Sequence, residues 1–132
     1  MRLCRGDGSN VEEVRCLVDK GNLIPHGVAI SHTFARRMGL KIVPGPYKVG
    51  TASKGQKIQA IGVVRNVVFG VGSKMCPMQE VLVLEGLSHR VNLGLNFLIQ
   101  NKISLNYGQK PSLVMQGEEV EVICQLDEPS TV

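Results

Sequence analysis

The chain has 132 residues, of which 43% are hydrophobic, 20% charged and 4% aromatic, with no Trp and a net charge of +4. That length suits one domain with a modest core, and a core so poor in aromatics must rest on Val, Leu and Ile, side chains that fit a pleated sheet. The basic residues are scattered, Arg36-Arg37 being the densest pair, which argues against direct nucleic-acid binding, and no apolar run approaches the ~20 residues of a membrane helix.

Asp7-Gly8 is a turn signal, so the segment around Arg2 to Cys4 is the expected hairpin partner of a strand over residues 11–19, VEEVRCLVD. In that strand Val14, Cys16 and Val18 alternate with Arg15 and Leu17. LIPHGVAIS, broken at Pro25 and Gly27, reads as a second strand pair or as an extended passage. Ser31 is the expected N-cap of a short helix through FARRMGL, and Gly39 its stop. Beyond Pro44 and Pro46 the pattern is all β. YKVGTA and KIQAIGVV flank a polar turn at Ser53-Lys54-Gly55-Gln56, and VRNVVFGVG and QEVLVLEGL are further strands. Met75 and Met78 are expected beside a turn at Cys76-Pro77. VNLGLNFLIQNK reads as a tight glycine loop at Gly94 feeding a short helix with Asn96 as its N-cap. SLNYG, SLVM and EEVEVICQL are closing strands, and DEPSTV is expected to fray. One domain therefore spans 1–126, with a tail over 127–132.

The cysteines at 4, 16, 76 and 124 contain no CxxC pair, and the histidines at 26, 32 and 89 share no spacing with them. Neither a disulfide framework nor a metal site is expected, and reduced thiols are the pattern of an intracellular protein. There is no phosphate loop and no dinucleotide fingerprint, so no cofactor is expected.

The stretch that carries chemistry is CLVDKGN, Cys16 to Asn22. An apolar strand delivers Asp19 into a glycine turn. Alone, an Asp-x-Gly at a strand end reads equally as a turn residue that caps its own backbone. The order of the later segments adds weight: VAISHTFARRMGLKI, then YKVGTASKGQKIQAIGVV, then VLVLEGLSHRVNLGLNFLIQNKISLNY. Taken together these resemble the retropepsin-like aspartic proteases of gypsy-type LTR retrotransposon gag-pol polyproteins, over residues 11–113. The resemblance implies a mainly β fold, half of an acid-protease barrel with a flap hairpin and one or two short helices. It implies Asp19 as the catalytic residue, with Lys20, Gly21, Asn22 and Leu23 as active-site loop. Gly21 lets the backbone approach substrate, and Asn22 and Leu23 line the cleft. Ala52, Ser53, Lys54, Gly55 and Gln56 would be the flap tip, and Gly94 and Asn96 the structural loop beneath the site. EEVEVICQL would join a dimer sheet or fold back on its own barrel.

Peptide hydrolysis by carboxylates needs two of them sharing one proton, one to activate water and one to protonate the carbonyl oxygen. Asp7, Asp19 and Asp127 are the only aspartates, and only Asp19 lies in a strand-to-glycine setting. The pair must then come from two chains, so a homodimer is expected. The resemblance implies a peptide or polyprotein substrate and a setting in the cytoplasm, within a retroelement particle.

Lys20 departs from the family, where this position is Ser or Thr. A hydroxyl donates and accepts hydrogen bonds across the dimer axis; an ammonium has three donors and no acceptor. Two such ammonium groups ~4 Å apart, at an effective dielectric near 20, repel by roughly 4 kcal/mol. The dimer weakens, or it persists with an altered pair of carboxylates, or the loop turns Lys20 to solvent. Impaired catalysis is the expectation. The rival readings are a catalytically silent domain of the same fold that binds extended peptides or serves assembly, and a small β-barrel that binds RNA. The shortage of stacking aromatics speaks against the barrel.

Overall fold

The computed structural model describes residues 1–6, 8–19, 21–22, 24, 27–44 and 59–124. The strand YKVGTA, the turn from Ser53 to Gln56 and the tail over 127–132 lie outside the described residues. The expected first hairpin forms: β1 (Arg2–Arg5) pairs antiparallel with β2 (Glu12–Glu13), and Gly8 adopts φ +83° in the turn between them. On its other edge β1 pairs with β7 (Val67–Val71), which pairs with β8 (Lys74–Met78), giving a sheet of order β2-β1-β7-β8. The turn expected at Cys76-Pro77 is instead part of β8, and the chain reverses before it, where Gly72 takes φ +59°. Pro77 is tolerated because β8 is an edge strand, the place in a sheet where a missing N–H is least costly.

The second sheet positions the site. Its members are β3 (Leu17–Val18), β4 (Val28–Ser31), β5 (Ile42–Pro44), β6 (Gln59–Val64), β9 (Val81–Glu85), β10 (Val91–Leu93) and β14 (Ile123–Cys124). They lie in the order β14-β3-β10-β4-β9-β6-β5, with β3 parallel to both of its neighbours. The single strand expected over residues 11–19 is thus two short strands in different sheets. Arg15 is exposed as the alternation requires, but Leu17 is buried together with Cys16 and Val18. Both faces of β3 are covered, as is usual for strands in parallel pairing, which removes the polar alternate. Val81 to Leu84 are buried for the same reason.

EEVEVICQL is divided. Its first half is β13 (Glu118–Glu121), which folds back on β12 (Ser112–Met115), itself paired with β11 (Ser104–Asn106); its second half contributes β14, beside β3. Within one chain the segment therefore takes the fold-back course. Helix α1 (His32–Arg37) starts where expected, the Ser31 hydroxyl accepting the Phe34 N–H at 3.1 Å, and ends at Gly39, φ +68°. Helix α2 (Leu95–Gln100) begins two residues earlier than expected. Gly94 is its N-cap, and Asn96 belongs to the first turn. Beneath the site Phe97 of α2 meets Phe69 of β7 edge-to-face, ring centroids 5.9 Å apart, joining the two large sheets' shared core.

Cys16 is fully buried in that core, its thiol donating to the Met1 thioether at 3.5 Å. Burial pushes the thiol up to about 12, outweighing the opposing pull of the Met1 ammonium. Below pH 9 the thiol is protonated in folded and unfolded chains alike, so its contribution is fully present. Between pH 9 and about 12 only the unfolded chain ionises it, so stability is lost as pH rises, by about 1.4 kcal/mol per pH unit. Urea midpoints followed from pH 8 to 10.5 are expected to fall more steeply for the parent chain than for Cys16→Ala.

Candidate active site

Asp19 follows β3 directly, and its backbone N–H continues the ladder by donating to the Leu93 carbonyl at 2.8 Å. Side chains two apart on a strand share a face, so Asp19 lies on the side of Leu17. Asn92 is the register partner of Leu17 on β10, which makes it the diagonal neighbour of Asp19 on that face. The geometry realises this: Asn92 Nδ2 donates to Asp19 Oδ2 at 3.2 Å. The other oxygen, Oδ1, accepts the Gly21 N–H at 3.0 Å, an Asx turn closing the loop over its own aspartate. The turn-capping and functional readings of Asp19 are therefore compatible, since one N–H both caps the turn and orients the carboxylate. Asp19 is only 2% exposed within the chain.

A second Asx turn comes directly after the first. Asn22 Oδ1 accepts the Ile24 N–H at 2.9 Å, while Asn22 Nδ2 donates to Asn92 Oδ1 at 2.9 Å. Asn22, expected along a cleft, is fully buried. The oxygen and the NH2 of its side-chain amide are spent on the loop backbone and on β10, which is a bracing role. Gly21 is exposed. Lys20, Leu23 and the residues expected to form a flap tip, Ala52, Ser53, Lys54, Gly55 and Gln56, lie outside the described residues. The strands on either side of that last segment, β5 and β6, are an antiparallel pair, Ile42 opposite Val64.

The glycine loop supports the aspartate loop from below. Gly94 has ordinary extended backbone angles; what excludes a side chain is space, since a Cβ there would lie 2.4 Å from the Asn22 carbonyl oxygen. Its N–H donates to the Gly27 carbonyl at 2.6 Å, and Asn96 Nδ2 donates to the Ile24 carbonyl at 3.0 Å. Asn96 is thus a clamp between α2 and the loop after Asp19. Asn92 is the residue that sequence reasoning missed. Its one signal was an amide inside the apolar run Val91-Asn92-Leu93, a poor strand former at what is a fully buried position. Among the described residues no group of three or more His, Cys, Asp or Glu side chains could hold a metal ion. The site offers one oriented carboxylate, half of what acid–base hydrolysis of a peptide requires.

No protein-family model matches the sequence, and no curated protein does. Among solved structures the chain is similar to the crystal structure of the retroviral protease-like domain of Ddi1 from Leishmania major, with a TM-score of 0.60 over 92% of this chain and 89% of that one, at 14% identity. At that identity the likeness is one of fold. With its mainly β architecture, two short helices and Asp19 at the end of an inner strand, the chain has the retropepsin-like fold.

Proposed function

We propose that the chain is an aspartic endopeptidase of retroelement type, active as a homodimer in which each protomer supplies one Asp19. The observation that carries this reading is the fixed carboxylate of Asp19, held at a strand end in a retropepsin-like fold by the Gly21 N–H and the Asn92 amide. One Asp19 activates a water molecule while the partner's Asp19, protonated, donates to the scissile carbonyl oxygen. An extended polypeptide lies between the two sites and the segment 52–56 closes over it as a flap, adding the substrate as a strand. The proposed substrate is a polyprotein, and the proposed setting a cytoplasmic retroelement particle. Lys20 replaces the Ser or Thr of the resembled family, and on this reading it impairs catalysis, by weakening the dimer or by altering the pair of carboxylates.

Light scattering of the chain and of Lys20→Ser, at pH 5 and pH 7, tests this. The expected result is a larger dimer fraction for Lys20→Ser at equal concentration; monomers in both at millimolar concentration would end the dimer reading. A second reading, a silent domain that binds extended peptides, is favoured by the enclosure of Asp19 and the engagement of both its oxygens within one chain. A stable dimer that leaves unfolded casein intact would select it.

A further inference from the structure

We infer that Asn92 is a positioning residue for Asp19, the middle link of an amide relay whose direction is set by the backbone of the loop itself. Its kinetic consequence rests on the peptidase reading; its geometry does not. The Ile24 N–H can only donate, so it obliges Asn22 to present its oxygen there. Asn22 must then turn its NH2 toward β10, where Asn92 presents its own oxygen. That leaves the Asn92 NH2 facing Asp19, and the last member of the relay must be an acceptor. A carboxyl oxygen of Asp19 accepts and completes it. Both ends of the loop, at Gly21 and Ile24, are thereby tied to one strand 70 or more residues away in sequence. All three side chains are enclosed, Asn22 and Asn92 fully, so water does not substitute for a lost member.

The relay fixes the rotation of the carboxylate: Oδ2 is pinned by β10 and Oδ1 by the loop N–H. Orientation of this kind acts on the chemical step, since a reacting group misplaced by about 1 Å can cost on the order of 100-fold. The variants are Asn92→Leu, which keeps the volume and removes the amide, and Asn92→Ser, which keeps a small donor should the first fold poorly. Amide exchange is followed on the chain as it stands; cleavage of a fluorogenic peptide chosen from casein digestion is followed in the Lys20→Ser background. Expected are faster exchange at the Gly21 and Ile24 N–H groups in both variants, and for Asn92→Leu a kcat lower by about 10- to 100-fold with KM within about twofold. Asn92→Ser is expected to recover part of kcat. Folded variants with unchanged exchange at Gly21 and unchanged kcat would overturn the inference. If Lys20→Ser itself cleaves nothing, the peptidase reading falls, and exchange at Gly21 alone decides whether Asn92 positions the carboxylate.

Discussion

Asp19→Asn is expected to lose stability as well as cleavage. Removal of a group that serves as general acid or base lowers rates by about 10²- to 10⁴-fold. A carboxylate merely displayed in a cleft would leave stability unchanged or improved when neutralised. Here the reverse is expected. An Asn at 19 can still offer its oxygen to the Gly21 N–H, but its NH2 then faces the Asn92 NH2, donor against donor, in an enclosed site. Turning Asn92 over only moves the clash to Asn22, whose NH2 is committed by the Ile24 N–H. A buried group left unpaired costs about 1–3 kcal/mol. Urea unfolding is expected to show that loss; an Asp19→Asn chain as stable as its parent would contradict the relay.

Gly27→Ala is expected to cost more than any other single methyl added near the site. Gly27 stands at φ +74°, and a Cβ there would lie 2.3 Å from the Phe97 nitrogen and 2.9 Å from its Cβ. Backbone strain contributes about 1–3 kcal/mol and forced displacement of packed atoms about another 1–3. Their sum consumes much of the ~5–15 kcal/mol that holds a domain folded. Phe97 cannot yield easily, because its ring is packed against Phe69 in the core. Gly39→Ala is the comparison: φ is +68°, but the nearest atom to its Cβ, Asn10 Nδ2, is 3.8 Å away, so only backbone strain applies. Equal unfolding midpoints for the two variants would show that close approach at Gly27 does not matter.

Features that depend on neighbours in sequence were legible from the residues. The Ser31 cap, the Gly39 stop, the turn at Gly8 and the apolar run of β9 arise from local side-chain and backbone preferences. So does the extended course into Asp19, though not its division between β2 and β3. What was not legible depends on which strands become neighbours. Pro77 signals a turn until β8 is known to be an edge strand. EEVEVICQL looks like one strand until its second half is found beside β3. Asn92 looks like an oddity in an apolar run until parallel pairing of β3 with β10 sets it diagonal to Asp19. Gly94 reads correctly as a tight loop, but its cause, the carbonyl of Asn22, lies on another segment.

Whether Asp19 is half of a peptidase site completed by a second copy is decided by the specific activity of Lys20→Ser on unfolded casein across a wide range of protein concentration. A site split between two chains predicts specific activity that rises with concentration and then levels off, and that is absent in Asp19→Ala. Activity independent of concentration, or equal in Asp19→Ala, would contradict it.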